Sequence, residues 1–221
     1  MTSHLNLAEV VSLGLYRATT SLIAPFLGQH LKKRVKRGKE HPQRWHEKQG
    51  VAGAERPSGT LIWLNAVGLG EVMALRGLII ALHNRDPELQ FLVTSSTLIS
   101  ATTFANNLPP NTLHQFLPLD CPAYTRQFLD HWHPDLALWS EQDIWPSAVH
   151  ETALRHIPQA LINVRMSAAS FRSKTFVRPL FRATYKSFSL ISAQERVTAQ
   201  SLQMLAGHDN IRIDGSLKPH C

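Results

Sequence analysis

Short apolar segments recur along the chain from residue 60 onward, and segments with helical periodicity separate most of them. Seven apolar segments predict β-strands: Thr60–Val67, Gln90–Ser95, Leu113–Leu117, Asp135–Trp139, Gln159–Asn163, Ser187–Ser192 and Ile211–Asp214. Six segments predict helices: Glu71–Asn84, Leu98–Asn107, Ala123–Trp132, Trp145–His156, Phe176–Tyr185 and Glu195–Ala206. Nearly continuous apolar strands that alternate with helices are typical of a parallel sheet covered on both faces. We therefore expect a Rossmann-like, doubly wound α/β domain over residues 57–221.

The first 56 residues have a different pattern. An apolar segment, Val10–Leu27, is interrupted by Arg17 and Pro25, and it is followed by six cations among the eight residues 32–39. An apolar helix joined to such a cluster can lie in the headgroup region of a membrane, gaining roughly 1 kcal/mol per cation near anionic lipid. The alternative is an ordinary helix whose apolar face packs on the core. We expect residues 1–56 to associate with an anionic membrane, whether the helix spans the bilayer or lies on it.

Charge is distributed unevenly along the chain. Residues 1–56 carry 10 Lys and Arg against 4 Asp and Glu, residues 57–150 carry 3 against 8, and residues 151–221 carry 10 against 4. An acidic middle between two basic segments does not favour nucleic-acid binding, which needs a continuous basic face. It favours a protein that contacts an anionic surface at its edges and keeps carboxylates in a central site. The two cysteines cannot form a disulfide framework, so the cytoplasm is the expected compartment.

Ligands of doubly wound folds bind beyond the carboxyl ends of the strands, so the loops at those ends are the candidate sites. The first such loop contains Gly68 and Gly70, which would allow a tight turn, followed by Glu71. Met73 stands where a dinucleotide fingerprint needs a small residue, which disfavours NAD binding. Glu71 has two interpretations: an acid that complements the helix dipole, or a general base held at the cleft.

Two later loops also carry candidate groups. Glu141 and Asp143 follow the fourth predicted strand; Asp143 could cap the next helix, whereas Glu141 has no such structural role. Six cations and no acid lie between Arg165 and Lys186, and this segment includes Ser167, Ser170 and Arg172. Arginines interleaved with serines suit phosphate binding, although a solvated basic helix face would have the same composition. The twelve histidines show no metal-ligand spacing, so we expect no metal site.

Several motifs, in order, resemble the N-terminal domain of the Kdo transferases of lipopolysaccharide synthesis. Kdo is 3-deoxy-D-manno-octulosonic acid, an acidic eight-carbon sugar. The resemblance rests on the apolar-then-basic start, Arg44-Trp45, Val67–Val72, Thr94–Thr97, Leu117–Pro122, Glu141–Ser147, Asn163–Ser170, Ala193-Gln194 and Gly215–Lys218. The chain departs from the family pattern at Gly68, Asp143 and Ser147, where the family has a serine, a glutamate and an asparagine.

The resemblance implies the N-terminal half of a metal-independent, inverting GT-B glycosyltransferase on the cytoplasmic face of the inner membrane of a Gram-negative cell. That half would hold the lipid A precursor (lipid IVA), and a C-terminal domain would hold the donor CMP-Kdo. Glu71 would be the base, with Glu141 and Lys218 stabilising the transition state. Gly70, Arg165, Ser167, Ser170 and Arg172 would face the acceptor.

The chain stops where the resemblance would place the donor-binding domain. We therefore expect little transferase activity from this chain alone, and no cofactor other than the donor substrate. A separate donor-binding domain is an expected partner. The alternative is a non-catalytic, membrane-bound module that binds lipid A or has a regulatory role.

Overall fold

The computed structural model describes residues 5–140, 144–208 and 210–217, which form one seven-stranded parallel sheet. All seven predicted strands are confirmed, in the order β3-β2-β1-β4-β5-β6-β7. Their bounds are β1 Leu61–Asn65, β2 Gln90–Ser95, β3 Thr112–Phe116, β4 Leu136–Ser140, β5 Gln159–Val164, β6 Leu190–Ala193 and β7 Ile211–Ile213. The predicted doubly wound α/β fold is therefore confirmed.

Eight α-helices and one 3-10 helix accompany the strands in the described part of the chain. They are α1 Leu7–Lys36, the 3-10 helix Trp45–Gln49, α2 Leu69–Arg85, α3 Leu98–Ala105, α4 Pro122–Trp132, α5 Pro146–Leu154, α6 Ala168–Phe176, α7 Arg178–Tyr185 and α8 Arg196–Ala206. The sequence interpretation placed α6 in a loop. Its first turn begins at an N-cap serine, Ser167, which accepts a hydrogen bond from the N–H of Ser170.

The sheet has a separate apolar cluster on each face because successive side chains of a strand point in opposite directions. In β1, Leu61 and Trp63 belong to the cluster that includes residues of α4, α5 and α8. Ile62 and Leu64 belong to the smaller cluster that includes residues of α2 and α3. Both faces of β1 are buried, which explains why its sequence is continuously apolar instead of alternating.

The chain reverses its direction of travel across the sheet at β1, which pairs with β2 on one side and with β4 on the other. The topological switch point lies between β1 and β4. In such folds the loops that follow these two strands diverge to opposite faces of the sheet and leave a crevice. Because all strands are parallel, their carboxyl ends meet at one edge of the sheet. We call this edge the site edge.

The long helix α1 packs across the outside of the domain and contacts α4, α5, α7 and the 3-10 helix. It extends through Pro25 and includes most of the predicted basic cluster. The turn that follows the 3-10 helix requires a glycine. Gly50 has a φ of +89°, and a Cβ there would lie 2.1 Å from the carbonyl oxygen of Tyr124. Any other residue would force these segments apart.

A half-buried histidine, His114, joins the segment after α1 to the sheet. The guanidinium of Arg44 donates to Nδ1 of His114, at 3.1 Å, so Nε2 carries the ring proton toward Ser95 Oγ, at 2.9 Å. Burial, together with the Arg44 charge, lowers the pKa of His114 from its ordinary value of 6.5 to about 3. The imidazole is therefore neutral in the folded protein at pH values where the unfolded chain binds a proton.

This arrangement predicts acid-sensitive folding. Above pH 6.5 both states are neutral at His114; as pH falls from 6.5 toward 3, only the unfolded state gains a proton, and stability falls by about 1.4 kcal/mol per pH unit over most of that interval. His114→Gln should flatten the dependence of the free energy of unfolding on pH between pH 6 and 4.5, measured by urea denaturation. His30→Gln, at an exposed position of α1, is the control and should leave the dependence unchanged.

Candidate functional site

Glu71 lies at the site edge, in the first turn of α2 and six residues beyond the end of β1. Its Oε2 accepts hydrogen bonds from the N–H groups of Val67, at 2.8 Å, and Gly68, at 3.4 Å. The same bonds cap the first turn of α2. The half-buried carboxyl group of Glu71 is thereby held at the end of β1, beside the switch point.

The two glycines of this loop do not have the predicted conformational role. Gly68 has φ −97° and ψ 164°, an extended conformation that any residue adopts, and Gly70 is an exposed residue of α2 without a positive φ. A Cβ added at Gly68 would meet Glu71 Oε1 at 3.5 Å, an ordinary contact. The turn after β1 is therefore made by an extended helix cap and needs no left-handed residue.

A row of buried polar side chains lies at the carboxyl ends of three neighbouring strands. Asn65 ends β1, Ser140 ends β4, and Asn163 lies one residue before the end of β5. Asn65 Nδ2, Ser140 Oγ and Asn163 Nδ2 have no hydrogen-bond partner in the described part of the molecule. A desolvated polar atom without a partner costs free energy, so such atoms are expected where a ligand or a moving loop supplies the partner. They lie on adjacent strands at the site edge, where ligands of doubly wound folds bind.

Part of this row is fixed by an internal hydrogen-bond chain. The indole N–H of Trp63 donates to Thr94 Oγ1, which donates to Asn65 Oδ1, both at 2.9 Å. These two hydrogen bonds orient the side-chain amide of Asn65. Sequence reasoning did not identify Asn65 and Ser140 as site residues. A signal was available, because a polar residue ends an otherwise apolar strand in each of two neighbouring strands.

The end of the described chain is hydrogen-bonded to the same row of polar residues. Asn163 Oδ1 accepts hydrogen bonds from the backbone N–H of Leu217 and from Gln194 Nε2, both at 3.0 Å. Asn163 has a φ of +57°, and the β5–β6 register shifts between Leu161 and Val164, which redirects this residue at the strand end. Asparagine tolerates that left-handed conformation better than most residues. Three of the motifs quoted above, at Asn163, Gln194 and Leu217, therefore meet at one point.

The basic loop after β5 is less uniform than its composition indicates. Arg165 and Arg172 are exposed, whereas Ser167 caps α6, and Ser170 Oγ accepts a hydrogen bond from Lys174 Nζ at 3.0 Å. Three of the remaining cations have structural contacts: Arg178 donates to carbonyl oxygens at the end of α8, and Arg182 and Lys186 pair with Glu9. Of the six cations, Arg165, Arg172 and Arg178 are the exposed ones.

Three predicted site residues, Glu141, Asp143 and Lys218, lie outside the described residues. The structure describes their neighbours. Ser140 ends β4 immediately before Glu141, and Leu217, held by Asn163, immediately precedes Lys218. Within the described ranges no group of three His, Cys, Asp or Glu side chains could hold a metal ion.

The basic end of α1 is tied to the site edge. Arg34 in the last turn of α1 and Lys48 in the 3-10 helix both pair with buried Glu40, at 2.7 Å and 2.6 Å. Lys48 Nζ also donates to the carbonyl oxygen of Ser96, at 3.0 Å, just beyond the end of β2. The cationic cluster that ends α1 is thereby held beside the edge that carries Glu71.

Comparison with known proteins decides the family. A sequence model described as 3-deoxy-D-manno-octulosonic-acid transferase (kdotransferase) matches residues 43–220, most of the chain. This chain belongs to the Kdo transferase family. It is 37% identical over 193 residues to a probable mitochondrial 3-deoxy-D-manno-octulosonic acid transferase of Arabidopsis thaliana, an alignment that covers 86% of this chain and 43% of the relative.

Bacterial relatives of the same name give the same result. The Rickettsia felis protein is 37% identical over 72% of this chain and 34% of its own length. The Haemophilus influenzae protein is 28% identical over 80% of this chain and 42% of its own length. The chain therefore spans less than half the length of the curated Kdo transferases that it matches, and corresponds to their N-terminal part.

Solved structures extend the comparison to the fold alone. The UDP-GlcNAc 2-epimerase of Neisseria meningitidis, solved with UDP-GlcNAc, superposes with a TM-score of 0.53 and 11% identity. The match covers 72% of this chain and 47% of that protein. A TM-score in this range at such low identity reflects a shared Rossmann-like architecture.

The hydrogen bond between the Leu217 N–H and Asn163, which we call the Asn163 clamp, should protect the Leu217 amide from exchange with solvent. Asn163→Gly keeps the left-handed backbone but removes the acceptor of the Leu217 N–H, so this amide should exchange with deuterium at least tenfold faster. Asn163→Asp retains an acceptor oxygen and should preserve the protection. The matched control is Asn111→Gly, at an exposed left-handed asparagine with φ +51°. Equal exchange of Leu217 in all four proteins would show that the clamp does not hold this segment.

Proposed function

We propose that this chain is the acceptor-binding half of a Kdo transferase, which transfers Kdo from CMP-Kdo to a lipid A precursor (lipid IVA). The observation that carries the proposal is the position of Glu71 at the switch point of a domain that belongs to this family. The donor would bind to a second domain, on the same or another polypeptide. Because a GT-B active site forms between two domains, the chain alone would be inactive.

The proposed chemistry assigns the proton transfer to Glu71. A hydroxyl oxygen of the acceptor sugar attacks the anomeric carbon of Kdo, forming the new C–O bond. The bond from that carbon to the phosphate of CMP breaks, and CMP leaves with the electron pair. Glu71 takes the hydroxyl proton, for which its carboxylate must be ionised when the acceptor binds. The two backbone donors to Oε2 support this requirement.

Glu141 and Lys218 are proposed to stabilise the transition state. A fixed cation near the departing phosphate would offset the negative charge that develops on the leaving group, which suits Lys218. The hydrogen bond from Leu217 to Asn163 supports a fixed position for the segment that carries this lysine. Asp143 is proposed as a secondary residue of the same loop as Glu141.

Phosphates of the acceptor are proposed to bind near the start of α6. Arg165 and Arg172 are exposed, so their guanidinium groups are available for bidentate contacts with phosphate. Ser167 and Ser170 are proposed to contribute N–H or hydroxyl donors, although both hydroxyls already have local contacts. Gly70, exposed in the first turn of α2, is proposed to allow close approach of the acceptor sugar to Glu71.

The membrane contact is proposed to be made by α1 on the cytoplasmic face of the inner membrane. Its outer face exposes large apolar side chains at helical spacing: Leu7, Val11, Leu15, Leu22 and Phe26. The same helix ends in the cationic cluster, which suits anionic headgroups. By length and composition α1 could also cross a bilayer, which by itself is weak evidence. The buried ion pairs on its inner face favour a helix that lies in the membrane interface.

A second candidate function is a non-catalytic module that binds lipid A at the membrane. One observation favours it: the bonds from Val67 and Gly68 to Glu71 also explain this residue as a helix cap. A binding module would need the cationic loop and α1 but not a base. Catalytic assays of Glu71 variants distinguish the two candidates.

The catalytic proposal predicts that Glu71→Gln abolishes most transfer. The amide cannot accept the proton but can still accept the bonds from the loop, so the fold should persist while the rate falls about 10²- to 10⁴-fold. The measurement is Kdo transfer to a detergent-dispersed lipid A precursor, with the donor-binding domain supplied on the same polypeptide or separately.

The control for this experiment is Glu88→Gln, at an exposed residue on the opposite edge of the sheet, which should keep wild-type activity. Equal transfer by wild type and Glu71→Gln would exclude Glu71 as the base. Binding of the glycolipid without any transfer by the completed enzyme would support the non-catalytic module.

The membrane proposal predicts that polar substitutions on the outer face of α1 release the protein from vesicles. Leu15 and Leu22 are 68% and 76% exposed, so the variant Leu15→Gln/Leu22→Gln should fold normally. Burying one leucine is worth roughly 1.5–3 kcal/mol, and the double variant should bind at least tenfold more weakly to vesicles containing phosphatidylglycerol. Thr19→Gln, on the same face, is the control. Unchanged flotation of the double variant would contradict this role of α1.

A further inference from the structure

The inner face of α1, which packs against the domain, carries polar contacts in addition to apolar ones. Glu9 is buried and pairs with Lys186, at 2.8 Å, near the end of α7. Tyr16 donates to Asp120, and Arg17 pairs with Glu151 in α5. Hydrogen bonds and ion pairs have directional requirements that apolar contacts lack, so these residues define the position of α1 on the domain.

Asp120 connects α1 with the first turn of α5. Its Oδ2 accepts from the Tyr16 hydroxyl, at 2.7 Å, and from the N–H of Ser147, at 3.1 Å. Its Oδ1 accepts from the N–H of Ala148, at 2.9 Å. The residue at the N-cap of α5, Trp145, supplies no side-chain cap. Asp120, from the segment after β3, therefore satisfies amides that the helix itself leaves without partners.

The Asp120 carboxylate depends on its three donors. Burial raises the pKa of Asp120 above its ordinary value, and the hydrogen bonds from Tyr16, Ser147 and Ala148 act in the opposite direction. Without the Tyr16 hydroxyl the carboxylate loses one donor and shifts toward the protonated form. A protonated carboxyl is a weaker acceptor, so the two α5 amides would be held less firmly.

A second contact holds α5 from the same side. The Arg17 guanidinium pairs with the buried carboxylate of Glu151, one turn beyond Ala148, and Arg155 pairs with the other oxygen of that carboxylate. Adjacent residues of α1 are thus linked to one helix, Tyr16 to its start through Asp120 and Arg17 directly to its middle. Along the chain, this helix follows β4 and the predicted site residues Glu141 and Asp143.

We infer that Tyr16 is a positioning residue: through Asp120 it fixes the first turn of α5, the helix that follows the predicted site residues Glu141 and Asp143 along the chain. This inference rests on the proposed function only for its catalytic consequence. Its structural part, the coupling of α1 to α5, stands on the hydrogen bonds alone. The helix proposed to contact the membrane would then also be required for the geometry of the site.

The chain offers a matched control. Tyr124 in α4 also donates its hydroxyl to α1, to the carbonyl oxygen of Ala24 at 2.9 Å. Among the described residues, the hydrogen bonds to Asp120 come from Tyr16, Ser147 and Ala148 and not from Tyr124. Tyr16→Phe and Tyr124→Phe therefore each remove one hydroxyl from the α1 interface. Only Tyr16→Phe should affect the start of α5.

The structural test is hydrogen–deuterium exchange of the 221-residue chain. Tyr16→Phe should make the amides of Ser147 and Ala148 exchange about five- to tenfold faster, the factor expected for loss of one buried hydrogen bond. Tyr124→Phe should accelerate exchange near Ala24 only. Unchanged exchange of Ser147 and Ala148 in Tyr16→Phe would overturn the inference, even if α1 itself became more dynamic.

Asp120→Asn provides a second variant. It should accelerate exchange at Ser147 and Ala148 at least as much as Tyr16→Phe. In the double variant the two effects should not multiply, because both act through one carboxylate. Independent, multiplying effects would show that Tyr16 stabilises α5 by another route and would contradict the proposal.

The catalytic test uses the complete enzyme, with the donor-binding domain present, and a detergent-dispersed acceptor, so that membrane binding is not needed. Tyr16→Phe should lower kcat several-fold with little change in the KM of the acceptor, whereas Tyr124→Phe should keep the wild-type kcat. Equal kcat values in the two variants would overturn the catalytic consequence. Absence of transfer by the wild-type enzyme would refute the proposed function but leave the exchange result unaffected.

Discussion

The parallel pairing of β1 with β2 and β4 is the constraint on which the rest of the molecule depends. Because each strand runs in the same direction, every strand delivers the loop at its carboxyl end to one edge. The reversal of winding at β1 then opens a crevice at that edge. Glu71 and the polar ends of β4 and β5 come together for this reason, although they are separated by up to about a hundred residues along the chain.

Several polar side chains at or near the site edge have two roles: they satisfy hydrogen bonds and they position a neighbouring segment of backbone. Glu71 caps α2 and presents a carboxylate at the crevice, and Asn163 both completes a strand and holds the segment before Lys218. Asp120 caps a helix that belongs to another part of the chain. In each case a desolvated polar group needs partners, and satisfying it fixes the backbone of a neighbouring loop. The hydrogen bonds that satisfy these buried groups therefore also determine the geometry of the site.

The helix α1 combines two environments that are usually found on separate elements. Its outer face exposes leucines and a phenylalanine, while its inner face carries Glu9, Tyr16 and Arg17 in contact with the domain. An ordinary amphipathic helix of a globular protein has the opposite arrangement, with its apolar stripe toward the core. These two faces are the basis of the proposal that α1 lies on a membrane while it stays attached to the domain.

The sequence by itself determined the seven strands, the parallel sheet and the placement of Glu71 at the start of the helix after β1. Those features follow from apolar periodicity and motif spacing, which involve residues that are close together in the sequence. It did not reveal α6, whose cap residue Ser167 resembled a phosphate-binding serine in isolation. Only the tertiary structure decided that Tyr16, Asp120 and Ser147 form one hydrogen-bonded group, and that Asn163 meets Leu217. Those contacts join residues from 27 to 104 positions apart, and no local pattern specifies which buried donor will satisfy which acceptor.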